Sequence, residues 1–364
     1  MKKAFLFTLS TILFSFSVYA EQIPDKLKPV IEKLESEQTK IEGSAVAILV
    51  KDEVVYKKTF GNKSGENNPI NEDTLFGLAS VSKPVSAMAV ILMAEKGQLN
   101  LGDKIKLPYL KNKITLTNIL SHTTGYKFTG NAELEKGLSK KLLLEAIKKQ
   151  KPDCSPSKCY GYSNAMFSLL DEALEVQGLS LNAVISNLST VLKTSDIKLL
   201  PIKQNENFAY PHSEKQILPF PSNYQKVAPA SAGIFASLGG MIEFYKLSFG
   251  YRPDLISQKT LDKIYQPVNL NNDIFKWSLN FPFQTSKIKS YYNQGWRIIK
   301  VDQNPNADLI FHSGFINGAR AFIGFIPSKE IGIIILANDS SSTSPVQNGL
   351  TFWGKVVKDG TSEF

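Results

Sequence analysis

Cysteine and histidine are scarce in this chain of 364 residues, with two of the first and three of the second. His122, His212 and His312 do not stand at ligand spacing from one another, and no His/Cys cluster offers a zinc site, so no metal or other cofactor is expected. Arginine is also rare, at three residues, so the net charge of +9 is almost all lysine, spread along the chain. No dense Arg/Lys block with interleaved aromatics is present, which argues against nucleic acid as a partner. After residue 20 no apolar run approaches the length of a membrane-spanning helix. There is no G-x-S-x-G, which weighs against a nucleophile elbow of the α/β-hydrolase kind.

The one long apolar run lies at the start. Lys2 and Lys3 precede Ala4–Val18, and Val18-Tyr19-Ala20 ends in a small residue before Glu21. This reads as a secretory signal peptide, residues 1–20, and implies export, to the periplasm first and to the medium as the alternative. Its removal leaves 344 residues with a net charge of +7, enough for a large core and no integral membrane segment. Export also permits a disulfide between Cys154 and Cys159 in "CSPSKC". Such a bridge closes a short loop, so it stiffens that loop and adds little to global stability.

Strand patterns lie near both ends of the chain. Ser44–Val50, a polar turn at Lys51–Glu53 and Val54–Tyr56 read as a hairpin, while "YNQGWRIIKV", "RAFIGFIP" and "IGIIILAN" read as three late strands. Between them come helical patterns, of which 81–97, ending at Gly97, is the longest and most apolar. "TLTNILSH", "NAMFSLLDEALEVQG" and "SLGGMIEFYKLSFG" are further helices, "PSNYQKVAPASAG" is a proline-punctuated loop, and "GLTFWGKVVKDG" is a closing helix. The expected class is α/β, an antiparallel sheet built from both chain ends and flanked by helices, with a mainly helical region inserted. We place the α/β part at about 21–75 and 236–364 and the helical part at about 76–235, with a cleft where they meet.

S-x-x-K occurs four times, beginning at Ser80, Ser155, Ser195 and Ser286. Only Ser80 opens a long apolar helix. One reading makes Ser80 a helix cap. Another makes it a nucleophile: residues i and i+3 share a helix face, so Lys83 reaches Ser80, and a helix N-terminus offers N–H groups to a developing oxyanion. A lysine acts as base only where burial lowers its pKa. Local pattern leaves both readings open. Two later stretches bear on them, Tyr162-Ser163-Asn164 before a helix and His312-Ser313-Gly314 on a late strand.

This order, S-x-x-K, then Y-x-N, then H-x-G, resembles the serine β-lactamase and penicillin-binding-protein superfamily, in its class C β-lactamase-related branch. "LFGLASVSKPVSAMAVILMAEKGQLNLGD", "LTNILSHTTGY", "VAPASAGIFASLGGMIEF" and "HSGFINGARAFIGFIP" carry the likeness, which spans roughly 40 to 350. The resemblance implies a β-lactamase/transpeptidase-like fold and a small-molecule or peptide substrate, cell-wall derived in many members. It implies that Ser80 is acylated, that Lys83 and Tyr162 move its proton, and that Asn164 binds the substrate amide. His312 would support Tyr162 or a substrate carboxylate, beside Ser313 and Gly314. The N–H groups of Ser80 and Phe315 would form the oxyanion hole.

The departures concern the substrate. His312 stands where class C β-lactamases have lysine, and H-x-G is seen in esterase, D-peptidase and D-aminopeptidase members. "DSSSTSPVQ" after "LAN" lacks the Asn and Arg that hold a β-lactam carboxylate, although Arg320 offers a substitute. No glutamine follows "SHTTGY" where an amide-binding one is placed. Three readings result: a hydrolase of D-amino-acyl peptides or esters, a true β-lactamase, and a catalytically silent envelope-binding protein.

Overall fold

The computed structural model describes residues 24–203, 206–271, 281–340 and 344–358. The expected signal peptide lies outside these residues. Eight strands form one antiparallel sheet: β1 (Gly43–Val50), β2 (Glu53–Gly61), β3 (Asn269–Leu270), β4 (Ile288–Asn293), β5 (Trp296–Val301), β6 (Leu309–Ile316), β7 (Ala319–Ile326) and β8 (Ile331–Ala337). Their order is β2-β1-β8-β7-β6-β5-β4-β3. The last strand therefore pairs with the first, Ser44 opposite Ala337 and Val50 opposite Ile331, so both ends of the chain build one sheet. The fold is mixed α/β with a large antiparallel sheet, as the strand patterns predict.

Both faces of this sheet are covered, which explains why "IGIIILA" is apolar without interruption. Alternate residues point to opposite faces. Val46, Ile48, Ile333, Ile335 and Phe322 pack beneath α1 (Lys28–Gln38) and α4 (Ser344–Lys358). Ala45, Ala47, Ile334, Leu336 and Ile323 pack against α2 (Ser82–Glu95) and α3 (Leu238–Phe249). Helix α2 is mostly apolar and buried from Ser82 to Met93, so it is held within the core rather than at its edge.

Three stretches differ from the sequence reading. "YNQGWRIIKV" is not one strand but a hairpin, with Asn293 opposite Trp296 and a two-residue turn at Gln294-Gly295. Both turn residues have positive φ, at +41° and +90°, the geometry of a tight hairpin. Side chains are barred from position 295, where a Cβ would stand 2.7 Å from Ala87 Cβ and 3.0 Å from the Lys83 carbonyl oxygen. "PSNYQKVAPASAG" is not a loop but two short helices, Asn223–Val227 and Pro229–Ala232. A capping box of Ser222 and Gln225 starts the first, and Pro229 opens the second. "NAMFSLLDEALEVQG" splits at Leu169 into Asn164–Ser168 and Leu170–Glu175, where Ser168 Oγ donates back to the Ala165 carbonyl.

Candidate active site

Ser80 sits in a single tight turn, Ala79–Val81, that runs into α2. Ala79 before it holds φ at +47°, a left-handed value that a Cβ disfavours and that surrounding packing must maintain. The residue at the cap of α2 is Val81, with no side-chain cap bond. The helix-cap reading of Ser80 is thereby corrected, since its Oγ accepts instead from Lys83 Nζ at 3.1 Å.

Lys83 is fully buried and donates to two more oxygens, Asn164 Oδ1 at 2.7 Å and the Ser231 carbonyl at 3.0 Å. Burial pushes its pKa down, the Tyr162 hydroxyl pulls it back up, and Arg297 pushes it down further; the net shift is downward. The Asn164 amide is fixed in orientation because its Nδ2 donates to Asn131 Oδ1 at 2.9 Å.

Tyr162 and Asn164 follow the loop closed by the Cys154–Cys159 disulfide. That loop is tied to the segment at 118–125. Ser157 N–H donates to the Thr123 carbonyl at 2.9 Å, Gly161 N–H to the His122 carbonyl at 3.0 Å, and Asn118 Nδ2 to Ser157 Oγ at 2.8 Å. Ser163 then caps the helix Asn164–Ser168 through Met166 N–H, and its own N–H donates to His122 Nδ1 at 3.2 Å. His122 itself is buried with φ at +54°, its ring centre 4.4 Å from that of Tyr162. It is a scaffold for the tyrosine.

The Tyr162 hydroxyl lies among cations. Burial alone would raise its pKa, but Lys83, Arg297 and hydrogen bonds from Lys83 and Ser80 outweigh burial and hold it below the usual phenol value. Lys83 Nζ is 4.8 Å and the Arg297 guanidinium carbon 5.0 Å from the centre of the Tyr162 ring.

His312 lies on β6, the late strand where the sequence puts it. It is fully buried, donates from Nδ1 to the Ser313 carbonyl at 2.9 Å, and receives the Tyr292 hydroxyl on Nε2 at 3.3 Å. Burial holds its pKa well below 6.5, and Arg297 and Lys83 add to the lowering, so the ring is neutral. Its centre is 6.4 Å from that of Tyr162, and Tyr292 touches both rings. Of the two expected roles, support of Tyr162 or of a substrate carboxylate, this geometry relates His312 to Tyr162, through Tyr292. Gly314 has a separate duty. A Cβ there would stand 2.4 Å from the Leu78 carbonyl oxygen and 2.9 Å from Ser80 N, so only glycine lets β6 pass this close to the serine turn.

A cleft of about 540 Å³ opens beside Ser80. Asn131 and Asn164 stand on one side, Ser222 and Tyr224 on another, and Phe315 of β6 with Asn317 in the turn after it on a third. Phe315 is 54% exposed, and the Arg320 guanidinium lies 4.2 Å from its ring. Arg320 donates to the Ser340 carbonyl at 2.7 Å and backs the cleft wall rather than lining it.

The beta-lactamase family model matches residues 31–357. The chain belongs to the beta-lactamase family. It is 26% identical to a beta-lactamase of Psychrobacter immobilis over 96% of this chain and 93% of that one. It is 32% identical to esterase EstB of Burkholderia gladioli over a shorter stretch, 30% of this chain and 31% of that one. Its fold superposes on a penicillin-binding protein homologue from Pyrococcus abyssi with TM-score 0.72 at 20% identity, covering 91% of this chain and 76% of the other. As a member of this family it is a serine hydrolase.

In this beta-lactamase-family protein the structure brings Ser80, Lys83, Tyr162 and Asn164 together and sets Phe315 at the cleft. Sequence reasoning missed Arg297, Tyr292 and Asn131. Arg297 left a signal, a charge in the apolar strand "GWRIIKV" that is 2% exposed in the structure. Asn131 left none, because it lies in a short polar helix, Asn131–Glu135.

Proposed function

We propose that the protein is an exported serine acyl-hydrolase that acts through an acyl-enzyme on Ser80, with D-amino-acyl peptides or esters as substrates. The observation that carries this reading is Lys83 Nζ, donating at once to Ser80 Oγ and Asn164 Oδ1 beneath an open cleft. Ser80 Oγ attacks the substrate carbonyl carbon and its proton passes to the Tyr162 oxygen. The N–H groups of Ser80 and Phe315 receive the carbonyl oxygen as it gains charge. Tyr162 then delivers the proton to the leaving amine or alcohol as the scissile bond breaks. Water attacks the resulting ester, loses a proton to Tyr162, and Ser80 Oγ leaves with that proton, releasing a carboxylic acid. Lys83 holds Ser80 and Asn164 in place and, with Arg297, lowers the pKa of Tyr162 against the opposing effect of burial, which favours its role as base.

The peptide or ester substrate is favoured over β-lactams because position 312 carries a neutral buried imidazole and the fixed cation beside Tyr162 is the buried Arg297. Among the described residues no lysine or arginine lines the cleft to anchor a β-lactam carboxylate. Kinetics on nitrocefin, a p-nitrophenyl ester and a D-Ala-D-Ala peptide test the assignment. Turnover of the ester or peptide above nitrocefin is expected. Faster nitrocefin turnover identifies a β-lactamase, and inertness to all three identifies a binding protein.

A further inference from the structure

Among the described residues that line the cleft, one side chain is charged, Glu135. It sits at the end of the short helix Asn131–Glu135, one helical turn from Asn131. Residues i and i+4 share a helix face, with Cβ atoms about 5–6 Å apart. Asn131 in turn accepts from Asn164, and Asn164 from Lys83. A line of side chains thus leads from the serine's lysine along one wall to a carboxylate.

That carboxylate is exposed and has no ion-pair partner among the described residues, in a chain with 42 Lys and Arg. Its contact is the Tyr224 hydroxyl, at 3.4 Å. The wall is also held in place. Asn223 Nδ2 donates at 3.0 Å to both the Leu134 and Leu138 carbonyls, which ties the segment bearing Glu135 to the segment bearing Tyr224. An anion entering here meets a like charge. An ammonium meets a carboxylate, a phenol oxygen and the amide oxygen of Asn131, which suits its three N–H donors.

We infer that Glu135 selects acyl groups that carry a primary ammonium, placed one helical turn beyond the point where Asn164 meets the acyl chain. This rests on the acyl-hydrolase reading and narrows its substrate class to cationic acyl donors. An α-amino group and a side-chain amino group present the same chemistry to Glu135, so the test has an arm for each.

The probes are the p-nitroanilides of Nα-acetyl-D-lysine, D-norleucine and Nα-acetyl-D-norleucine, which carry a side-chain ammonium, an α-ammonium and no cation. The readout is the ratio of kcat/KM for each cationic probe to that for the neutral one, within each variant. In the native protein at least one ratio should reach about two- to fivefold, the scale of one solvent-accessible charge pair, and it should shrink as salt is added. Glu135→Gln should bring the ratio near one, and Glu135→Lys should bring it below one. Turnover of the neutral probe with a ratio near one in the native protein overturns the inference and leaves the acyl-hydrolase reading standing. So does a raised ratio that Glu135→Gln leaves unchanged. No turnover of any probe, with no acylation of Ser80, overturns both.

Discussion

At the floor of the cleft Lys83 donates to three oxygens from three separate segments, and His312 has both ring nitrogens engaged. At the rim Phe315 is 54% exposed and the Glu135 carboxylate meets a single phenol at 3.4 Å. The floor is buried and cross-braced, so its dipoles and charges are aimed before a substrate arrives. Preorganisation of that kind stabilises a transition state. The rim is open to water, so each contact there contributes little alone and chooses among substrates rather than driving the reaction. A buried site under an open rim lets one fold serve more than one substrate class, because the rim can vary without disturbing the buried contacts.

Floor variants should therefore cost far more than rim variants. If Tyr162 carries the proton as proposed, Tyr162→Phe should lower kcat by about 10²–10⁴-fold with little change in KM, measured on a p-nitrophenyl ester. A loss no larger than that from Glu135→Gln would erase the distinction between floor and rim.

Arg297→Met should have a smaller effect with a clear sign. Arg297 helps hold the Tyr162 hydroxyl below its usual value, so its removal raises that pKa. The base form of Tyr162 then appears at higher pH, and the rising limb of the kcat/KM profile moves in the alkaline direction. Arg297→Lys keeps the charge and should leave the limb nearer its native position. A limb that stays fixed in Arg297→Met would show that Lys83 alone sets the tyrosine.

The residues of the floor stood out in the sequence as local patterns, and their order along the chain, through the family resemblance, separated Ser80 from its three rival S-x-x-K matches. Ser80 opens the longest apolar helix, Lys83 follows at i+3, and Tyr162 and Asn164 sit at the start of another helix. The β1–β2 and β7–β8 hairpins were equally plain, since each joins two apolar runs across a polar turn. Arg297 and Tyr292 were hidden because a two-residue turn at Gln294-Gly295 sits inside what reads as one strand. Once the chain reverses there, Arg297 stands opposite Tyr292, and their reach to Tyr162 depends on contacts about 130 positions apart in sequence. His312 was placed on the right strand, but its burial depends on Tyr292 covering it, which the motif does not state. The rim was illegible for another reason. Glu135, Asn131 and Tyr224 lie in short polar segments with no periodicity, and Asn223 joins those segments only in three dimensions.

Intact-mass analysis after incubation with a fluorescent penicillin or an activated ester tests the central claim most directly. The native protein should gain one acyl group, mapped by peptide sequencing to Ser80. Ser80→Ala should gain none and lose esterase activity by about 10⁴-fold or more. An adduct that persists on Ser80→Ala, or activity that survives the substitution, contradicts the account.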